Sequence, residues 1–230
     1  MRQAGPLQPR PPSATGVTMW MIDQLKGASR HFDYVVQVGA HVGEEVAPFR
    51  RAGVKQALMI EAAEGPYAQL CAAIGEGQDL IPFLGVCSSL DGEPCDFFVG
   101  SAAQASSMLK PKRHLQEYRR IRFEEPIRMT TRTVDSIVAE VERTHPGFDG
   151  RRTNLFCLDT QGAELKVMQG ATRLLQFCQT ICTEVSYDLY EGGASLQDLQ
   201  GFLGAYGFRL HTNYTNAKGW GEAMFCKPAP

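Results

Sequence analysis

The stretch VVQVGAHVGEE, Val35 to Glu45, decides how the rest of the chain is read. An apolar run closes on Gly39, a second glycine follows at Gly43, and a segment of helical composition, GEEVAPFRRAG, continues to Gly53. Glycine takes turns that a side chain would obstruct, so the stretch reads as a buried strand, a tight corner and a helix start. It lacks the third glycine of the dinucleotide fingerprint. Taken alone, it fits a plain strand-to-helix corner as well as a ligand loop.

The same alternation continues outward. QALMIEA is a second strand ending at Glu61, and EGPYAQLCAAIGEG a helix with Leu70, Ala73 and Ile74 on one side. DLIPFLGVCSS is a third strand. TVDSIVAEVERTHPG places Val134, Ile137, Val138 and Val141 at helical spacing. TNLFCLD is a fourth strand, AELKVMQGATRLLQFC a helix, QTICTEVS a fifth strand, and SLQDLQGFLGAYG a helix capped by Ser195. FRLHTNY and EAMFCKP close the chain as a strand pair. Strands alternating with helices predict an α/β fold, a doubly wound, largely parallel sheet. Its near-continuous apolar strands are those of a sheet covered on both faces.

The chain has 230 residues and a net charge of −2, which argues against a generic nucleic-acid binder. Its seven cysteines include no CxxC pair and several sit in apolar runs; they read as reduced core residues of a cytoplasmic protein, with no metal ligand set. No apolar run reaches the ~18 residues of a membrane span. MRQAGPLQPRPPSATG has no signal-peptide core and reads as a flexible lead-in. The expected organisation is an N-terminal extension over residues 1–30 and one domain over 31–230, with a cap or lid inserted at about 100–130.

In such sheets ligands bind beyond the carboxyl ends of the strands. The candidates are therefore Gly39 to Gly43, with Ala40 and His41 among them, then Glu61, Cys87 to Ser89 with Ser88, Asp159 to Glu164, and Glu184 to Tyr190. Glu61 ends the second strand about twenty residues after the glycine loop, where an acid accepts hydrogen bonds from both ribose hydroxyls of a nucleoside. Loop and acid together favour an adenosine-type cofactor, NAD-like or S-adenosylmethionine-like. Glu184 follows an apolar strand; a carboxyl buried there shifts toward general-base duty.

Four blocks, VVQVGAHVG, MTTRTVDSIV, LDTQGAELKVMQGA with EVSYDLYEG, and GWGEAMFCK, resemble the FkbM family of S-adenosylmethionine-dependent methyltransferases. They span about residues 34–227 in the expected order. The resemblance implies a class I methyltransferase (Rossmann-like) sheet of seven strands with the last pair antiparallel, S-adenosylmethionine as cofactor, and methyl transfer to the oxygen of a sugar, glycan or natural-product hydroxyl. It also implies that Gly39, Ala40 and Gly43 form the cofactor loop and that Glu61 holds the ribose. Asp159 and Glu164 match the D-x-x-G-A-E acids, and Glu184 matches the acid ending the fifth strand. The family usually has an acid in place of Gln37 and Asn in place of His41. Both positions therefore join the cofactor-binding candidates. Asp159 also borders that site, and with Glu184 and His114 it is a candidate base.

Between the third and fourth strands lies a segment too long for a simple connection. Residues 110–132 hold eight Lys or Arg against three Glu, either a solvated surface or a basic rim for an anionic acceptor. Ser106, Ser107, Lys112 and His114 lie where it could lean over the cofactor. The competing readings are a nicotinamide-dependent enzyme and a non-catalytic binding protein of the same fold.

Overall fold

The computed structural model of the chain describes residues 32–228; the N-terminal lead-in expected over residues 1–30 lies outside them. Ten strands and seven α-helices follow in order: β1 (Tyr34–Val38), α1 (Val46–Ala52), β2 (Gln56–Glu61), α2 (Glu64–Ile74), β3 (Leu80–Leu84), β4 (Val86–Cys87), β5 (Pro94–Phe97), α3 (His114–Glu117), β6 (Ile127–Arg132), α4 (Val134–Thr144), β7 (Leu155–Leu158), α5 (Glu164–Gln169), α6 (Thr172–Phe177), β8 (Thr180–Ser186), α7 (Leu196–Gly204), β9 (Arg209–Thr215) and β10 (Trp220–Cys226).

The main sheet has seven strands in the order β3-β2-β1-β7-β8-β10-β9. β3 to β8 run parallel, and β10 is antiparallel to both of its neighbours. Alternate residues of β1 feed two cores, as a pleat of period two requires. Val36 and Val38 pack with Leu58, Ile60, Phe156 and Leu158 under α4 to α7. Val35 packs with Met59, Leu155 and Cys157 under α1 and α2, through Phe49, Leu70 and Ile74. Helices after β1 and β2 thus cover one face, and those after β7 and β8 the other. The direction of winding reverses between β1 and β7, and the loops leaving these strands open the crevice where such sheets bind ligands.

Capping follows the sequence. Thr133 caps α4 by accepting from the Ser136 N–H. Ser195 caps α7 in a reciprocal box with Asp198, as its position predicts. Two expectations are corrected. The helix expected through residues 163–178 is two, broken at Gly170, where any Cβ would stand 2.1 Å from the Ser88 carbonyl oxygen. The second piece, α6, takes a foreign cap: the Asp135 carboxylate of α4 accepts from the Arg173 and Leu174 N–H groups and the Thr172 hydroxyl. The third strand is also two. β3 stays in the main sheet, and beyond Gly85 β4 joins β6 and β5 in a separate three-stranded sheet. The segment inserted between β3 and α4 thus builds its own small sheet from β4, β5 and β6. Among the described residues, no helix is long and apolar enough to cross a membrane, and all seven cysteines are free thiols.

Candidate active site

The glycine loop is shaped first by the protein itself. Gly39 has φ of 83°, and a Cβ there would lie 1.9 Å from the Asp159 carbonyl oxygen. Only glycine lets the β1 corner pass this close to the end of β7. Gly43 packs against Leu70 and Val46. The helix starts only at Val46, so it does not spring from the glycines. His41 adopts φ of 46°, a left-handed conformation in which Asn and His are enriched among non-glycine residues. Its backbone N–H donates to Glu61 Oε2 at 2.8 Å, while the Ala63 N–H donates to Glu61 Oε1 at 2.8 Å. Glu61 thus clamps the corners of β1 and β2. Burial raises its pKa and these backbone donors oppose the rise. The His41 ring contacts Glu44 at 2.8 Å, and this carboxylate raises the imidazole pKa.

Gln37 is buried beneath this loop. Its amide donates to Glu45 Oε2 at 3.2 Å, and its own Oε1 has no partner. A carboxyl therefore stands beside position 37 after all, contributed from eight residues further along. Burial pushes the Glu45 pKa up to about 7.

The turn after β7, Asp159–Glu164, gathers the second group. Gln161, at φ of 52°, donates its amide to Asp159 Oδ1 at 2.8 Å and to Glu184 Oε2 at 2.5 Å. Its Oε1 accepts from the Tyr190 hydroxyl at 3.1 Å. Glu184 is fully buried within β8, two residues before its end. Burial first, and then the Asp159 charge, raise its pKa well above the ordinary carboxylate range. Glu164 is buried too; it accepts from the Thr160 and Gly162 N–H groups and the Thr160 hydroxyl. Burial moves its pKa to about 7. Glu164 therefore braces the turn and does not face the crevice.

The cleft at the winding reversal is lined by Gly39, Glu61 and Asp159, with Ile60, Val86, Cys87, Phe97, Met108 and Ala163 as apolar wall and Ser106 at its side. The insertion supplies Phe97, Ser106 and Met108, so it is a wall of the cleft. It is fastened there by Ser107 Oγ donating to the Gln161 carbonyl at 2.9 Å and by the Tyr190 hydroxyl donating to the Ala105 carbonyl at 2.9 Å.

Of the expected cofactor residues, Gly39, Glu61, Cys87 and Asp159 line the cleft, whereas Gln37, Ala40, His41, Gly43 and Ser88 are not part of its lining. His114 is corrected: it is packed between Tyr118 (4.7 Å) and Tyr190 (5.3 Å), with Phe123 at its edge, and it is absent from the cleft lining. Burial lowers its pKa, leaving a neutral ring in an aromatic cluster. Lys112 is an exposed partner of Asp188. Gln161 and Tyr190 fall within the strand-end ranges but had no role assigned to them, and Glu45 lay outside those ranges. Gln161 carried a signal, as the polar residue between Asp159 and Gly162 in the most specific block. Among the described residues, no cluster of three or more His, Cys, Asp or Glu is arranged to hold a metal ion.

The cleft suits an adenosine-type cofactor. It joins an apolar wall to one buried carboxylate, Glu61, whose two oxygens each accept a single backbone donor and so retain lone pairs for hydroxyl groups.

Comparison with known proteins follows this geometry. The Methyltransferase FkbM domain matches residues 37–210. The 2-O-methyltransferase NoeI of Sinorhizobium fredii (strain NBRC 101917 / NGR234) is 34% identical over 103 residues, which are 44% of this chain and 40% of that protein. The chain therefore spans less than half the length of this relative. Among solved structures, M. capricolum TrmK in complex with S-adenosyl-homocysteine is 7% identical with a TM-score of 0.48, covering 90% of this chain and 67% of that one. The Methanococcus jannaschii fibrillarin pre-rRNA processing protein is 9% identical with a TM-score of 0.49, covering 87% and 69%. The assignment rests on the family match and not on these remote likenesses. The chain belongs to the FkbM methyltransferase family, and its cofactor is S-adenosylmethionine.

Proposed function

We propose that this methyltransferase acts on a hydroxyl oxygen of a sugar, glycan or natural product, with Asp159 as general base and Glu184 as its protonated partner. One observation carries the reading: Asp159 lines the cleft, and the Gln161 amide ties it to the buried Glu184. A relative named as a 2-O-methyltransferase supports oxygen as the acceptor atom.

Bound S-adenosylmethionine supplies a methyl group already activated by its sulfonium. The chain must then hold the acceptor in line and deal with a proton, because a neutral alcohol is a weak nucleophile. Two carboxylates this close cannot both ionise cheaply. In this scheme the more deeply buried Glu184 carries the proton of the pair, and Asp159 presents its carboxyl at the cleft. Asp159 takes the hydroxyl proton as the acceptor oxygen forms its new bond. Gln161 fixes both carboxyl groups, and Tyr190 fixes Gln161. Glu61 holds the ribose hydroxyls, and the apolar wall excludes water from the transfer. His114 has no step in this scheme.

The test is Asp159→Asn with two readouts. S-adenosylhomocysteine affinity by calorimetry is expected to stay within a few-fold. Turnover is expected to fall by about two to four orders of magnitude, the usual worth of a general base. Undiminished turnover in this variant removes Asp159 from the mechanism. A chain that binds NADH but not S-adenosylhomocysteine overturns the reading as a whole.

A further inference from the structure

The basic character of residues 110–132 resolves into two populations. Five of the eight cations face a carboxylate: Lys110 with Glu191, Lys112 with Asp188, Arg113 with Glu117, Arg128 with Asp96, and Arg132 with Glu140. The other three, Arg119, Arg120 and Arg122, lie close together in sequence and are exposed, and none has an ion-pair partner among the described residues. Arg119 and Arg120 line one surface depression with Tyr118, Glu117 and Lys218. Its one carboxylate, Glu117, is already engaged by Arg113 at 3.7 Å. Lys218 comes from the far side, the β9–β10 turn, with its ammonium 4.6 Å over the Tyr118 ring. Two elements distant in sequence therefore bring three uncompensated cations around one hollow.

Tyr118, which lines this hollow, is joined to the chemistry by a chain of packed side chains. Tyr118 stacks on His114 at 4.7 Å, His114 lies 5.3 Å from Tyr190, and the Tyr190 hydroxyl reaches Gln161, which holds Asp159 and Glu184. Within residues 110–132, the cations left without a carboxylate are the ones gathered around this spot. Arginine forks with an adjacent lysine are suited to phosphate oxygens.

The geometry points to an anionic acceptor: a phosphate-bearing sugar, whose phosphate sits between Arg119, Arg120 and Lys218 while its hydroxyl is presented to Asp159 across Tyr118. The inference rests on the reading of Asp159 as the methyl-transfer base and adds the charge of the substrate. It also separates binding from chemistry, because the anion site lies outside the cofactor cleft.

The full chain is titrated with glucose 1-phosphate and with UDP-glucose, with glucose as the neutral control, in the presence and absence of S-adenosylhomocysteine. The phosphorylated probes are expected to bind, more weakly as salt rises, and glucose is expected not to bind over the same range. Arg119→Ala with Arg120→Ala is expected to weaken the phosphorylated probes about tenfold or more, the loss of charge-assisted hydrogen bonds. S-adenosylhomocysteine affinity should stay unchanged in that variant, and the matching double lysine variant should keep most of the probe binding. Equal binding of glucose and its phosphates, no binding of either phosphate, or full binding by the double alanine variant overturns the inference. So does tighter binding of a single-stranded RNA oligonucleotide than of either sugar phosphate. Failure of S-adenosylhomocysteine to bind the unaltered chain strikes the methyl-transfer reading alone, since the phosphate titration is also run without it.

Discussion

Glu45 shows how much a single buried carboxyl governs. Its pKa is raised to about 7 by burial, against 4.5 for the exposed group. Between those values the folded chain holds a proton that the unfolded chain has released. Stability contributed by this group is therefore present at low pH and is lost as pH rises through the window, by about 3 kcal/mol at most. Glu45→Gln should remove that loss, and the new amide can donate to the unpartnered Gln37 Oε1. Urea unfolding at pH 5 and pH 8 should show a flatter dependence in the variant; an identical slope in both chains contradicts the assignment. At this scale the sequence was legible where a residue takes its place from its own strand end, as Gly39, Glu61 and Asp159 do in lining the cleft. It was not legible where a side chain reaches across the fold. Glu45 meets Gln37 only because the corner turns back, and Gln161 bridges two carboxyl groups only once β7 and β8 lie side by side. His114 looked catalytic from its neighbours in sequence, yet the aromatic rings of Tyr118 and Tyr190 enclose it.

At the scale of elements, periodicity located the main strands and four of the helices, because apolar spacing records which face is covered. What it could not record is a constraint from another element. The run from Ala163 to Cys178 has helical composition throughout, yet the Ser88 carbonyl occupies the space over Gly170. The chain breaks there, and α6 restarts on a carboxylate borrowed from α4. Six residues are too few to hold a helix without outside help. Asp135→Ala should leave the Arg173 and Leu174 N–H groups uncapped and lower stability by about 1–2 kcal/mol. A urea-unfolding midpoint matching that of the unaltered chain shows that α6 needs no such cap. The small sheet was missed for a related reason. β4 has two residues, and its pairing with β6 joins segments more than forty residues apart.

At the scale of the whole molecule, two layers meet at one turn. Tyr190, from the segment after β8, donates to the insertion at Ala105 and touches Gln161 in the β7 turn. Ser107 adds a second tie. Tyr190→Phe should loosen both partners together. Hydrogen exchange around residues 105–109 and 159–164 is expected to quicken about fivefold in each, the worth of about 1 kcal/mol. Acceleration in one segment alone means the two are not mechanically joined.

Those ties reach beyond stability. Were the insertion a detachable module, lineages could trade it freely to accept new substrates while the base stayed fixed. Here Ser107 grips the carbonyl of the very residue that aims Asp159 and Glu184. A transplanted insertion would disturb the carboxyl pair along with the cleft wall it supplies. Grafting for a new acceptor would therefore have to carry three pieces as one cassette: the insertion, the Asp159–Glu164 turn and the segment through Tyr190.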